Sequence, residues 1–351
     1  MPEQPTYIRG TAAVSPLGGS VRDNCDALLA GRTAFTEPRH FDAKGRKLGV
    51  DHELDGGSGS RAFRLLMKLR ASLDFAIPPG TRLFAATTVG TIDLLEQGSS
   101  ADTAREFLSA AERLFDISGG TLVSAACASG QTAAALAMRA LRNGDCRHAL
   151  VVGGDVTSEF VTEGFAALGA LSKTVCRPYD AGRDGLTLGE AAGALLLSSE
   201  PDGMGRLIGA AENCDASHIT SPDLSGGVLV KACRAALGED TPAGVIGHGT
   251  GTIYNDQAEI AALNTLFPEG APPLFSLKGN FGHTLGATGV LQIALGLELA
   301  RRRLMPPQAG LDSPMAGANV AKRPRELAGT RLLSLNVGFG GLNSAVVLEA
   351  S

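Results

Sequence analysis

Short apolar runs alternate along this chain with longer segments in which Ala, Leu and Val recur at helical spacing. In the first half the runs 7–14, 82–88, 120–124, 148–152 and 194–198 read as strands. Residues 21–29, 61–76, 101–115 and 131–141 read as helices between them. Pro16-Leu17-Gly18-Gly19 breaks the pattern as a turn, and the polar, glycine-rich residues 45–60 read as a surface loop. The second half repeats the series, with strands at 206–211, 243–247, 273–277, 332–337 and 345–348 and helices at 226–237, 255–266 and 286–301.

The two series look like copies. Residues 86–93 stand where 247–254 stand in the second half, and 123–141 matches 275–299. The strand ending Val152-Gly153-Gly154 matches the one ending Val337-Gly338-Phe339-Gly340-Gly341. A repeat near half the chain length implies duplication about a pseudo-twofold axis rather than a solenoid. Strands alternating with helices imply an α/β fold of mainly parallel sheets covered by helices.

Composition narrows the setting. With 44% hydrophobic and 19% charged residues, the 351-residue chain can bury a large core. A net charge of −5 argues against general nucleic-acid binding. Six cysteines include no Cys-x-x-Cys pair, so neither a zinc site nor a disulfide framework is expected. The start lacks a basic segment followed by an apolar one, and no run of apolar residues reaches membrane-spanning length. The expectation is a cytoplasmic protein with reduced thiols, no membrane contact and no metal or cofactor.

Chemistry concentrates at three turns. Cys127, in Val123-Ser124-Ala125-Ala126-Cys127-Ala128-Ser129-Gly130, falls between a strand and a helix, where the helix N-terminus favours thiolate over thiol. His248 lies in Gly247-His248-Gly249-Thr250-Gly251-Thr252, and His283 ends Lys278-Gly279-Asn280-Phe281-Gly282-His283. Both histidine turns follow matching strands. A twofold axis would bring their ends, with Cys127, to one place, the setting of a nucleophile with general acid–base partners. Arg61, Arg64 and Lys68 are spaced three and four apart on one helical face, which reads as a solvated charged stripe.

These motifs together resemble the β-ketoacyl-acyl-carrier-protein synthases of the thiolase-like superfamily, in their elongating branch. The resemblance rests on Ala126-Cys127-Ala128-Ser129-Gly130, His248-Gly249-Thr250-Gly251-Thr252, Lys278 to Thr284 and Asn336-Val337-Gly338-Phe339-Gly340-Gly341. Stretches 164–172, 177–180 and 189–193 add to it, so it covers nearly the whole chain. It implies a thiolase-like fold of two βαβαβ-type halves in α-β-α-β-α layers, residues 1–205 carrying the nucleophile and 206–351 both histidines.

The implied activity is decarboxylative Claisen condensation of a Cys-bound acyl group with malonyl-acyl-carrier protein, in fatty-acid or polyketide-like synthesis. Cys127 would take the acyl group, and the N–H groups of Cys127 and Phe339 would form an oxyanion hole. His248 and His283 would assist loss of the malonyl carboxylate and donate hydrogen bonds to the thioester oxygen as it becomes an enolate, with Lys278 fixing their charge state and position. Thr250, Thr252, Phe165, Gly338 and Gly340 would line the substrate path. Asp256 and Glu259 would orient Lys278 or buttress the site; their other reading is as helix N-terminal charges. Arg61, Arg64 and Lys68 resemble the carrier-docking helix. The implied partners are loaded acyl carrier protein and a second subunit, identical or an inactive homologue. The alternative is a non-elongating partner or carrier-binding subunit of a heterodimer. Against neighbouring classes, residues 338–342 hold no second cysteine as a thiolase would need, His283 stands where a priming-type synthase would carry Asn, and Cys127 is retained where a chain-length factor would have lost it. The chain is shorter than the family norm before Cys127 and between Cys127 and His248.

Overall fold

The computed structural model describes residues 5–351 apart from Ser58 and Ala101. The first four residues, Ser58 in the loop expected at 45–60 and the first residue of the helix expected at 101–115 lie outside the described residues.

Elements of the first half are β1 (Thr6–Val14), α1 (Val21–Leu29), α2 (Arg61–Ala71), β2 (Arg82–Ala86), α3 (Ile92–Glu96), α4 (Thr103–Phe115), β3 (Thr121–Val123), α5 (Ser129–Arg142), β4 (His148–Asp155), α6 (Glu159–Ala167) and β5 (Ala191–Ser198). The second half comprises β6 (Gly205–Cys214), α7 (Gly227–Leu237), β7 (Gly244–Ile246), α8 (Ile253–Leu266), β8 (Leu274–Phe275), α9 (Lys278–Phe281), α10 (Thr288–Arg302), β9 (Arg331–Gly338) and β10 (Leu342–Ala350). Local chemistry starts several of the helices. Ser20, Ser60, Asp102 and Ser158 each accept a hydrogen bond from an amide in the first turn of α1, α2, α4 and α6. Neither α5 nor α10 has such a side-chain cap.

Among the described residues, these ten strands form one sheet in the order β8-β7-β9-β10-β6-β1-β5-β4-β2-β3. Read outward from the β1–β6 junction, each half has the same order. The junction pairs Thr6–Ile8 with residues 205–207, antiparallel. In each half only the outer pairs are parallel: β2 with β3 and β4, β7 with β8 and β9. The expectation of mainly parallel sheets is therefore corrected to mixed ones. A three-residue hairpin, Phe339-Gly340-Gly341, turns β9 straight back into β10, and both glycines have positive φ, 90° and 82°.

Alternating side chains on these strands feed three apolar layers. Phe84, Ala86 and Val151 face inward with Ile246, Leu332 and Val346 onto α5 and α10. Leu83, Ala85 and Val152 face outward onto Leu65, Leu66 and Phe107 of α2 and α4. Val245, Leu333 and Ala345 face outward onto α7 and α8. The result is the expected α-β-α-β-α order, with α5 and α10 in the centre. Small residues let these two helices touch. A Cβ on Gly130 would lie 2.7 Å from Val290 N, and one on Gly289 only 2.3 Å from Gln131 N. Glycine inside a helix costs about 1 kcal/mol, and this close approach accounts for its presence.

Two local expectations change. Residues 45–60 are not simply a surface loop, since Leu48, Val50 and Leu54 are buried and Leu48–Gly49 pairs with Phe35–Thr36. The solvated basic stripe on α2 is also corrected. Arg61 is only 2% exposed and its guanidinium bonds Glu190 and Asp55. Arg64 donates to the carbonyls of Leu54, Gly57 and Gly59, and Lys68 pairs with Asp51 and Glu53. All three side chains are engaged within the chain; Arg61 is buried, while Arg64 and Lys68 stay partly exposed.

Candidate active site

The Cys127 turn is shaped by its backbone. Ala126 adopts φ 49°, unusual for a residue with a Cβ, and this kink lies between the end of β3 at Val123 and Cys127, which stands two residues before α5 begins. Cys127 Sγ lies 2.9 Å from His283 Nε2. His283 Nδ1 meets Thr288 Oγ1 at 3.3 Å, and that hydroxyl meets Thr284 Oγ1 at 3.0 Å. The rings of His248 and His283 stand edge to face with centroids 5.5 Å apart. Lys278 Nζ donates to the His248 carbonyl and lies 3.4 Å from His248 Nδ1. Lys278 starts a short helix, α9, where a turn was expected.

Asp256 and Glu259 are fully buried beneath the first histidine turn. Glu259 accepts from the amides of His248 (2.7 Å) and Gly249 (2.8 Å) and from Tyr179 OH (3.0 Å). Asp256 accepts from the amides of Thr250 (2.9 Å) and Tyr179 (2.9 Å). They buttress the His248–Gly251 backbone, and Asp256 also stands in the first turn of α8, as its reading as a helix N-terminal charge had it.

Burial governs the charge states. It pushes the Cys127 thiol up to about 12; nearby Lys278 and the N–H groups of Cys127 and Phe339 offset this only in part. The expectation of a resting thiolate is thereby corrected: loss of solvation outweighs the helix terminus. Burial first and Lys278 second hold both histidines well below their usual 6.5, so they are neutral at pH 7. Burial lowers Lys278 and raises Glu259, each partly countered by the other. A protonated thiol beside a neutral imidazole is a proton-transfer pair.

A cavity of about 310 Å³ opens onto this cluster. Cys127, His248 and His283 line it, as do Thr250, Thr252 and Phe165. Thr250 and Thr252 share a hydroxyl hydrogen bond of 2.8 Å. Phe165 stacks on Phe339, centroids 5.7 Å apart. Gly338 lines the cavity beside the Cys127 turn, and Gly340 N donates to Ile219 O at 2.7 Å. The structure thus brings Cys127, both histidines, Lys278 and Phe339 together, and leaves Arg61, Arg64 and Lys68 out of the cavity lining. Sequence reasoning gave no role to Asn336, Thr288 or Asp155, nor to the 215–222 segment that forms one wall. The last carried a signal: its Asp, Ser and Pro content marks a loop.

A duplicated, layered α/β fold with a buried cysteine at the foot of a central helix and two histidines from the opposite half defines a thiolase-like protein with a candidate nucleophile site. Comparisons with known proteins sharpen this. Family profiles described as "Beta-ketoacyl synthase, N-terminal domain" and "Beta-ketoacyl synthase, C-terminal domain" match residues 111–203 and 204–312, together more than half of the chain. The chain is 27% identical to a 3-oxoacyl-[acyl-carrier-protein] synthase 2 of Vibrio harveyi, across 99% of each. It is 34% identical to a highly reducing polyketide synthase of Leptosphaeria maculans, over 67% of this chain and 10% of that protein. Among solved structures, a ketosynthase in complex with its chain length factor from Xenorhabdus doucetiae matches with TM-score 0.85 and 27% identity, over 100% of this chain and 99% of that one. The ishigamide ketosynthase/chain length factor matches with TM-score 0.89 at 22% identity, over 99% and 100%, a likeness of fold. The chain belongs to the β-ketoacyl synthase family.

Proposed function

We propose that this chain catalyses decarboxylative condensation of a Cys127-bound acyl group with malonyl-acyl-carrier protein, giving β-ketoacyl-carrier protein. The observation that carries the reading is the 2.9 Å contact between Cys127 Sγ and His283 Nε2, with the amides of Cys127 and Phe339 directed at the sulfur. In the first half-reaction, the thiol proton passes to His283 Nε2 as sulfur attacks the acyl-carrier thioester. The tetrahedral oxyanion accepts from the N–H groups of Cys127 and Phe339. The carrier thiolate leaves and takes that proton from His283.

In the second half-reaction, the malonyl C–C bond to the carboxylate breaks and carbon dioxide leaves. The electron pair forms an enolate whose oxygen faces His248 and His283. The α-carbon attacks the Cys127 thioester, the C–S bond breaks, and the thiolate takes up a proton from solvent. Lys278 holds the charge balance of this group, and Thr250, Thr252, Phe165, Gly338 and Gly340 line the substrate path. The catalytic parts divide between residues 1–205 and 206–351. The protein acts in the cytoplasm, as one subunit of a homodimer or beside an inactive homologue.

The test is intact-mass measurement after incubation with acyl-carrier thioesters, followed by malonyl-carrier protein. Acyl mass on Cys127, then its loss with release of carbon dioxide, is expected. Carrier binding with neither acyl-enzyme nor carbon dioxide would replace this reading with that of a non-elongating partner subunit.

A further inference from the structure

Behind His248 runs a buried chain of side-chain amides: Asn336, Gln292 and Gln131, with the Ser334 hydroxyl, all 0% exposed. Its polarity can be deduced from one end. Gln292 Nε2 faces two backbone carbonyls, Gly247 O at 2.9 Å and Leu335 O at 3.3 Å. Carbonyls only accept, so this end of Gln292 must be its nitrogen. Its Oε1 must then accept, and it does so from Ser334 Oγ (3.2 Å), Gln131 Nε2 (3.3 Å) and Asn336 Nδ2. Asn336 therefore turns its oxygen to His248, and Oδ1 lies 3.2 Å from Nδ1. That oxygen can only accept.

Lys278 opposes it. Its Nζ lies 3.4 Å from the same Nδ1, and a charged lysine there favours a bare Nδ1. Cys127, His283, Glu259 and Asp256 are the other ionisable groups around this turn, and none bonds Nδ1. The Asn336 contact is the shorter, and three donors on Gln292 Oε1 fix it. His283 differs: its Nδ1 meets the rotatable hydroxyl of Thr288, which accepts either tautomer.

We infer that the Gln292–Asn336 relay locks His248 in the Nδ1–H tautomer, making Asn336 and Gln292 positioning residues that decide what His248 offers a substrate. Resting on the proposed function, this deepens it. Neutral His248 turns Nε2 to the substrate as an acceptor, and donates to an enolate oxygen only as imidazolium. His283 remains free to carry its proton on either nitrogen, so the two histidines are not interchangeable.

The test reads the tautomer directly, by nitrogen NMR of protein labelled in its six histidines, with His248 assigned by the signal lost in His248→Gln. The wild-type spectrum should show His248 neutral with Nδ1 protonated. Asn336→Ser withdraws the fixed oxygen and leaves Lys278 nearest, so the signal should move to the Nε2–H form. Gln292→Leu, which frees Asn336 to rotate, should give a mixture. An Nε2–H wild type overturns the inference. So does an unchanged signal in either variant, provided its circular dichroism matches wild type. Neither spectrum requires turnover, so failure of condensation leaves the tautomer result standing.

Discussion

At the end of β4 the Asp155 carboxylate accepts from Thr87 Oγ1 and from the amides of Thr88 (2.9 Å), Val89 (3.2 Å) and Gly286 (2.7 Å). At the matching end of β9 stands Asn336, facing His248. The ladders fix this match: Ala86 lies opposite Val123 and Gly153, and Ile246 opposite Phe275 and Ser334. The turns before the central helices match too. Ala126 and Leu285 both have φ 49°, and Cys127 and Gly286 follow them. One backbone thus serves two ends. On the first-half elbow the next residue is a cysteine facing a cavity. On the second-half elbow it is a glycine whose amide is tied to Asp155, closing that end. Duplication supplied the geometry, and side chains decided which copy stayed open.

The largest expected effect is at the open end. Cys127→Ala should abolish acyl transfer while leaving unfolding unchanged, since Ala fits the same turn. Intact mass and carbon dioxide release measure it, and condensation by a folded variant would remove Cys127 from the mechanism. His248→Ala and His283→Ala should each lower malonyl decarboxylation by roughly 10²–10⁴-fold while retaining some acylation of Cys127. Normal decarboxylation by both variants would show that the histidines do not act in that half-reaction.

The open end was also the legible one. Cys127, His248 and His283 sit in short motifs whose residue types announce chemistry, and the duplication showed that they would meet. The closed end was silent, because Asp155 is a single acid after two glycines and its donors come from positions 87–89 and 286. The same distance in sequence hid the fate of Arg61. Helical spacing gives its face but not Glu190, 129 residues away, which draws it inward. Thiol ionisation was misread for a related reason. A helix terminus is visible in sequence, whereas the full burial that overrides it is a property of the assembled layers.

At the closed end, Asp155→Ala should cost about 2–4 kcal/mol in denaturant unfolding, since buried donors lose their acceptor. Burial raises the Asp155 carboxyl from 3.8 to about 6 despite its four donors. A raised folded-state value favours the fold below the unfolded value and loses that contribution as pH rises through the folded one. The wild-type advantage over Asp155→Ala should therefore shrink between pH 3.8 and about 6; a widening advantage would contradict the assignment. Gly286→Ala places a Cβ 2.7 Å from Thr88 N and 2.8 Å from Asp155 Oδ2, and should cost about 1–3 kcal/mol.

The smallest effect compares the elbows themselves. Ala126 and Leu285 share a left-handed φ that costs about 1–2 kcal/mol for a residue with a Cβ. Replacing Ala126 with Gly removes that strain but adds about 0.5–1 kcal/mol of unfolded-chain entropy. Ala126 contributes only a methyl group, so the two nearly cancel, and stability should stay within about 0.5–1 kcal/mol of wild type. Leu285→Gly relieves the same strain but empties a site where Leu285 is 2% exposed and packs among Leu48, Val161 and Leu188. Losing a buried leucine costs about 2–5 kcal/mol, so this variant should be clearly destabilised. Paired urea titrations decide the point. Equal losses at both elbows would mean that the kinked backbone, and not the side chain on it, distinguishes the open end from the closed one.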